Sequence, residues 1–274
     1  RTVRIPVDPG KVIASGVVDI SDSSKIVPYI DINLSGSYIT KSQLLILDIL
    51  AHNEWERPIY FVSGYSNDVM GLEEYFQLEG LAYRLVPIKS HNNGWLDYGA
   101  IAADIMYDNM MNKFAWGGAN DPKVNIDYHH QRNISVIRAR LNYAKLAIAL
   151  AEKGEQDKAN KVLDRCMEAL PLDKILYDPY VGNIIEAYFK AGNRDKAIQM
   201  VADMRSHYYE EIDYFLGQES YLVKSAEYNI QVALQNLSTA ASACLGNGEE
   251  GLGGEISRDI NNYYSRFTAI IGSI

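Results

Sequence analysis

Two short stretches, GEQDKA at residues 154–159 and GNRDKA at residues 192–197, give the clearest indication of the fold. Their glycines are 38 residues apart, and so are their closing alanines, Ala159 and Ala197. A pattern that returns at a fixed distance is the sequence signature of a repeat architecture. Glycine supplies a tight turn between two helices, and a small alanine lets the helices approach closely. We therefore predict an array of helix pairs in this part of the chain.

The positions around each glycine fit the tetratricopeptide (TPR) pattern, a helix pair of about 34 residues. The extra four residues of spacing fit a longer loop at 172–178. We predict repeats at about 140–173 and 178–211, then atypical capping helices over 217–271 joined by residues 246–248 (GNG) and 251–254 (GLGG), because terminal units cap a stack. The signature positions are Tyr143, Leu146, Ala147, Leu150, Gly154, Ala159, Leu163 and Cys166, then Ile184, Ile185, Tyr188, Ala197, Val201 and Met204.

Strand and helix patterns alternate in the first part of the chain. Residues 29–34 (YIDINL) alternate as a strand does, and Thr40 with Gln43 forms a T-x-x-Q capping box that begins a helix. Residues 58–62 (PIYFV) form a continuous apolar run, which is typical of a strand buried on both faces. Strand, helix and strand in this order predict a βαβ unit.

Further elements complete the predicted architecture. They are a short helix near residues 72–77, a strand at 81–88 and an amphipathic helix at 100–114. The fold class we predict is an α/β domain with a small βαβ-containing sheet over residues 1–128. An all-α TPR-like array follows over residues 129–274.

Composition excludes several classes of partner. The chain has 26 Lys and Arg against 35 Asp and Glu, a net charge of −9, which repels phosphate backbones and disfavours nucleic acid. The most apolar stretches, residues 44–50 and 144–151, fall far short of the roughly 20 residues that span a bilayer, so no direct membrane insertion is expected. Because the chain begins at Arg1 with no signal-peptide pattern, we expect it to be a piece of a longer protein.

The sequence predicts neither a catalytic constellation nor a metal site, and no cofactor. None of the five histidines has a metal-ligand spacing, and no GxSxG motif occurs. Cys166 and Cys244 lie in helical patterns and predict buried thiols in preference to a disulfide. A carboxylate-dependent hydrolase stays open as a weaker alternative, because no pair can be selected among 35 acidic residues.

A polar and aromatic block around residues 75–84 is the candidate ligand site. Aromatic rings stack on sugar faces, while Gln and Arg donors reach hydroxyls. A structural alternative pairs Glu79 with Arg84 at the sheet edge, and another uses Tyr107 and Trp116 to hold the 100–114 helix to the sheet. The predicted site residues are Tyr75, Gln77, Arg84, Tyr107 and Trp116.

The predicted repeats place a second set of side chains along a groove. The groove lacks the basic and Asn pattern that clamps a peptide carboxylate, so an internal scaffold that packs on the α/β half is the other interpretation. Its residues are Lys145, Ile148, Glu152, Asn183, Glu186 and Phe189.

Three blocks resemble a known family: residues 55–61 (WERPIYF), 75–89 (YFQLEGLAYRLVPIK) and 104–118 (DIMYDNMMNKFAWGG). They are similar to the C-terminal region of large multi-pass bacterial membrane proteins of unknown function. The membrane half of those proteins resembles protein O-mannosyltransferases of the GT-C type. The resemblance covers most of residues 1–215.

This resemblance implies a periplasmic tail on an inner-membrane glycosyltransferase that uses a lipid-linked sugar. It supplies no catalytic residue here, since GT-C catalytic groups lie between the early membrane spans. We expect a non-catalytic accessory or binding tail, whose partners are its own membrane domain and a glycan or an acceptor protein. The alternative is a TPR protein-interaction scaffold unrelated to sugars.

Overall fold

The computed structural model describes residues 2–34, 37–62, 69–90, 98–129, 135–175 and 177–272, with the backbone alone at 135–138. The chain divides into two compact units, Arg1–Asn112 and Lys113–Ile274. The described strands all lie in the first unit, and the second unit is mainly helical.

The first unit contains two small sheets. In the first sheet β1 and β2 are antiparallel, and the second has the order β3-β5-β4-β6 with β4 and β6 parallel. The elements are β1 (Thr2–Pro6), α1 (Pro9–Ala14), a 3-10 helix (Ile20–Lys25), β2 (Tyr29–Asn33), α2 (Lys41–His52), β3 (Tyr60–Phe61), a 3-10 helix (Leu72–Tyr75), β4 (Phe76–Leu78), β5 (Tyr83–Leu85), β6 (Ala100–Ile101), α3 (Ala103–Asp108) and a π-helical turn (Asn109–Lys113).

The predicted βαβ unit is wrong, although its helix begins as predicted. At the start of α2 the Gln43 N–H donates to Thr40 Oγ1 over 3.2 Å, and the Thr40 N–H donates to Gln43 Oε1 over 3.0 Å. The strands on either side of α2 lie in different sheets, because β2 pairs with β1 and β3 pairs with β5, both antiparallel. A βαβ unit requires two parallel strands of one sheet.

The run at residues 58–62 forms a two-residue edge strand instead of a strand buried on both faces. Tyr60 is 47% exposed and Val62 is 73% exposed. Phe61 packs inward, with its ring centroid 4.8 Å from that of Phe76. The alternation of exposed and inward-facing residues is hidden in the sequence, because the exposed Tyr60 and Val62 have apolar side-chain surface, as the inward-facing Phe61 does.

The elements predicted around this sheet also change. The helix predicted near 72–77 ends at Tyr75, because the next three residues pair as β4, and the strand predicted at 81–88 shortens to β5. The helix predicted at 100–114 divides into β6, α3 and the π-helical turn. Gly99, directly before β6, lets the chain approach β4 closely, since a Cβ on this residue would lie 1.9 Å from the Phe76 carbonyl oxygen. Pairing between distant strands overrides the local helix pattern here.

The second unit consists of helix pairs that follow one another along the chain. α4 packs on α5 and α6, α6 packs on α7 and α9, and α9 packs on α10. The helices are α4 (Ser135–Glu152), α5 (Gln156–Ala169), α6 (Val181–Lys190), α7 (Arg194–Leu216), α8 (Ser220–Ser225), α9 (Glu227–Gly246) and α10 (Glu250–Ile271).

One turn geometry closes three of these helix pairs. Its glycines are Gly154, Gly192 and Gly248, with φ of 81°, 74° and 83°, a region that favours glycine. In each turn the residue after the glycine donates its N–H to the carbonyl five residues back over 2.9 Å, which caps the first helix. The pairs are α4–α5, α6–α7 and α9–α10. The third pair starts later because α8 is inserted between α7 and α9.

The expectation that residues 251–254 join the last two helices is wrong, since they lie within α10. A Cβ on Gly253 would lie 2.7 Å from Leu245 Cγ and 2.9 Å from the Ala241 carbonyl oxygen. Glycine therefore permits the close approach of α9 and α10, and it does not mark a break. The predicted burial of Ala159 and Ala197 is confirmed, because both are 0% exposed.

A buried ion pair fixes the segment between α5 and α6. Arg140 Nη1 lies 2.5 Å from Asp178 Oδ2, and Arg140 Nη2 donates to the carbonyls of Leu170 and Ile175 over 2.9 and 3.0 Å. Asp178 Oδ1 accepts the Tyr180 N–H over 2.8 Å. Both charged side chains are buried, so this pair connects the first helix pair to the loop that leads into the second.

Candidate functional site

A row of side chains crosses the four-stranded sheet on one face. The register aligns Tyr60 of β3 with Arg84 of β5, Arg84 with Gln77 of β4, and Gln77 with Ala100 of β6. Residues directly opposite one another on adjacent strands project to the same face of a sheet. Tyr60, Gln77, Arg84 and Ala100, together with Glu79 described next, are called the polar row below.

Glu79 adds a buried carboxylate to this row. It follows β4 at the start of the turn into β5, where its N–H donates to the Ala82 carbonyl over 3.1 Å. Its side chain accepts a hydrogen bond from the Tyr60 hydroxyl over 2.7 Å and lies 3.5 Å from Arg84 Nη1. Asn109 Nδ2 donates to the Glu79 carbonyl over 2.7 Å. The Glu79–Arg84 ion pair considered from the sequence is therefore present, and Tyr60 is a third member.

The guanidinium of Arg84 retains unused hydrogen-bonding capacity. Its Nε is buried and has no partner among the residues that the structure describes. Burying a donor without an acceptor costs roughly 1–3 kcal/mol, more for a charged group, so such atoms are uncommon in folded proteins. Arg84 therefore retains a donor, Nε, that would stabilise a further acceptor able to reach it, beside the half-exposed Tyr60.

The local environment also affects Tyr60. Partial burial raises the pKa of the Tyr60 hydroxyl, and the hydrogen bond to Glu79 raises this pKa further. The hydroxyl is therefore a fixed donor to the carboxylate at neutral pH. Tyr60 as a whole remains 47% exposed.

The opposite face of the same sheet is aromatic. The Phe76 ring lies 4.8 Å from Phe61 and 5.5 Å from Tyr83, measured between centroids, and Phe76 is fully buried. These rings join the core of the first unit with Val12, Ile30, Ile32 and Leu72. The core thus holds the strands that carry the polar row.

The structure brings two of the five predicted ligand residues together. Gln77 and Arg84 face one another across β4 and β5, both half-buried. Tyr75 is buried, with its hydroxyl 3.4 Å from the Asp31 N–H, and Tyr107 is half-buried in α3. Trp116 belongs to the second unit, where its Nε1 donates to the Tyr143 hydroxyl over 3.0 Å. Sequence reasoning left Tyr60 out of the site, because its position opposite Arg84 is set by strand register.

The predicted groove residues lie on α4 and α6, and most are half-buried. Glu186 Oε2 accepts from Asn247 Nδ2 over 2.9 Å, and its other oxygen lies 3.5 Å from Lys190 Nζ. A peptide role for this surface stays a prediction. The remaining positions are Lys145, Ile148, Glu152, Asn183 and Phe189.

A shallow, mainly apolar cleft also lies in the first unit. Asn53 is its one polar lining side chain, and its Nδ2 already donates to the Arg57 carbonyl over 2.8 Å. Glu54 and Trp55 follow α2 with φ of 48° and 66°, a strained region for side chains of this size. The cleft therefore offers mainly apolar contact, and the polar row is the better candidate. The cleft is lined by Ile5, Ile30, Leu50, Asn53, Trp55 and Ile59.

The chain also has two thiols and side chains of the kinds that ligate metals. Cys166 and Cys244 are buried thiols, and burial raises their pKa values to about 12 and about 11. No group of three metal-ligating side chains occurs among the described residues. Within the same ranges, no helix combines the length and hydropathy needed to cross a bilayer.

Comparison with known families matches the N-terminal part of the chain. Residues 1–105 match the family model described as TMEM260-associated domain 2, which fits an accessory region of a larger membrane protein. The matched range contains all six described strands and ends inside α3. No curated protein and no solved structure matches the chain.

Proposed function

We propose that this chain is a non-catalytic accessory and binding region of a larger membrane glycosyltransferase, held on the periplasmic side of the inner membrane. The observation that carries the membrane association is the match of residues 1–105 to TMEM260-associated domain 2. The sugar-transfer part of the proposal draws on the three blocks that resemble proteins with a GT-C type membrane half.

The polar row supports a binding role. Glu79 is the one carboxylate in the row, and it already accepts a hydrogen bond from the Tyr60 hydroxyl. Acid–base glycoside chemistry uses two carboxylates on either side of the reacting bond. The row instead combines fixed donors with an exposed aromatic ring, which are features of recognition.

The helical unit supports a second candidate, a TPR-like protein-interaction scaffold. The recurrence of one turn geometry at Gly154, Gly192 and Gly248 favours it, because stacked helix pairs create extended binding surfaces. In this case the acceptor protein, or the parent's membrane domain, would contact the surface that carries Ile148 and Phe189.

A labelling experiment on the full-length parent tests the location. Tyr38→Cys introduces an exposed thiol, since Tyr38 is 78% exposed, whereas Ala197→Cys introduces a buried one. Cys166 and Cys244 are buried with raised pKa values, so they should react slowly. We expect a membrane-impermeant maleimide to label the Tyr38→Cys protein in intact spheroplasts and to leave Ala197→Cys unlabelled. Labelling of Tyr38→Cys only after lysis would place the region in the cytoplasm.

A transfer assay in membrane vesicles tests the role. The parent, supplied with a lipid-linked sugar, should glycosylate an acceptor, and Arg84→Lys should raise KM while kcat stays unchanged, since a binding group was altered. Arg4→Lys is the matched control, because Arg4 also lies on a strand and pairs with a carboxylate, Asp31, over 2.8 Å. A lost kcat would indicate a catalytic role, and no transfer by the intact parent would contradict the glycosyltransferase assignment.

A further inference from the structure

We infer that the polar row, Tyr60, Gln77, Glu79, Arg84 and Ala100, binds an uncharged, hydroxyl-rich ligand of the carbohydrate type, with the partly exposed guanidinium of Arg84 as its central donor. The inference rests on the binding role proposed above, but it is independent of the association with a glycosyltransferase. It follows from the charge, the hydrogen-bonding capacity and the shape of the row.

The charge of the row disfavours ionic ligands of either sign. Arg84 and Glu79 lie 3.5 Å apart and are both largely buried, so their charges offset one another. An anion at Arg84 Nε would also approach the Glu79 carboxylate, and a cation at Glu79 would approach the guanidinium. At short range in a partly desolvated site, such like-charge contacts are strongly unfavourable. A neutral polar ligand avoids both contacts.

The hydrogen-bonding groups match a hydroxyl better than a carbonyl or an amine. Arg84 Nε is a buried donor without an acceptor in the described part of the chain. Glu79 can accept up to about four hydrogen bonds, and the structure gives its side chain one short bond, from Tyr60, and one long contact, with Arg84. A hydroxyl accepts and donates at once, so neighbouring hydroxyls can use the guanidinium and the carboxylate together. Gln77, opposite Arg84, adds an amide with both capacities.

The residues at the two ends of the row are exposed. Tyr60 lies at one end and is 47% exposed, so part of its side chain offers a surface for the apolar face of a sugar. Ala100 lies at the other end, next to Gln77, and its side chain is small and exposed. Aromatic contact combined with a few fixed polar groups is the general composition of small-ligand sites.

Nuclear magnetic resonance of the 274-residue chain tests this directly. The Arg84 Nε–H signal is assigned as the one lost in Arg84→Lys, and it is then followed during titration with methyl glucoside and methyl galactoside. We expect a neutral glycoside to move this signal. Arg84→Lys should weaken binding by about tenfold to a hundredfold, the loss typical of one hydrogen bond to a charged group. Gln77→Ala, which leaves the ion pair intact, should weaken it by about two- to tenfold.

The controls separate the possible outcomes. Arg4→Lys should leave binding unchanged, because Arg4 Nε already donates to Asp31 Oδ1 over 2.8 Å. Glucuronate and glucosamine, the charged counterparts, should bind more weakly than the neutral glycosides. If glucuronate binds more tightly, the neutral-ligand assignment is wrong. An Arg84 Nε–H signal that no glycoside moves means that the row is not a sugar site, whereas the labelling and transfer experiments would still decide the accessory role.

Discussion

Removing the carboxylate of Asp178 should destabilise the helical unit far more than removing an exposed carboxylate. Asp178→Ala removes the buried carboxylate that pairs with the buried Arg140 and that accepts the Tyr180 N–H. Breaking a buried ion pair on one side destabilises a protein by about 3–5 kcal/mol. We expect a value in this range, which is a large part of a total stability of about 5–15 kcal/mol.

Urea denaturation followed by far-ultraviolet circular dichroism measures this loss. The control is Glu168→Ala, since Glu168 is 64% exposed and pairs with Arg165 over 2.9 Å, so its removal should change stability by less than about 1 kcal/mol. The double substitution Arg140→Met with Asp178→Leu should recover much of the loss, because no buried charge remains. An Asp178→Ala protein as stable as Glu168→Ala would refute the reasoning, and so would a double variant as unstable as the two single losses combined.

Three further predictions concern the helical unit. Gly182→Ala should destabilise it by about 1–3 kcal/mol in urea denaturation, because the new Cβ would lie 2.4 Å from Thr239 Cγ2. Adding Thr239→Ala should restore most of this loss. An unchanged denaturation midpoint for Gly182→Ala would contradict the close approach of α6 and α9 at this glycine. Ala197→Leu should overpack a fully buried position, which should reduce the free energy of unfolding by about 1–3 kcal/mol and lower the melting temperature. An unchanged melting temperature would argue against the helix–helix contact at this alanine. Burial raises the pKa of Tyr143 to about 12, above about 10 in the unfolded chain, so its stabilising contribution is complete below pH about 10 and is lost as the pH rises towards 12. Absorbance and circular dichroism in an alkaline titration check this, and ionisation of every tyrosine near pH 10 with native dichroism would contradict it.

Local sequence signals identified the features that depend on neighbouring residues. The capping box of Thr40 and Gln43 and the glycine turns at Gly154 and Gly192 involve contacts within a few positions, so their residue types are sufficient evidence. The turn at residues 246–248 was also identified and has the same hydrogen bond, whereas the glycines at 251–254 were wrongly assigned to the connection. A glycine that breaks a helix and one that permits close helix packing look alike without the partner helix.

The sheets and the candidate site depend on long-range pairing, which residue types alone do not define. β2 pairs with β1 and not with β3, and nothing near Tyr29 or Tyr60 indicates this choice. The same limit applies to the Arg140 network, whose partners are 30 to 38 residues away. Among the site residues, Arg84 and Gln77 were identified from their polar character, whereas Tyr60 joined them only through strand register.

The two-sided character of β5 also limits how the sheet can misalign during folding. β5 has only three residues, so few backbone hydrogen bonds favour one alignment over the next. A slip of one position would reverse its faces, taking the Arg84 guanidinium among the rings of Phe61 and Phe76 and moving Tyr83 outward. Placing an unpaired charge in an aromatic core is costly enough to exclude that alignment. Arg84 thus acts as a register marker during folding, and a neutral residue of similar length at this position should permit misaligned, aggregation-prone chains.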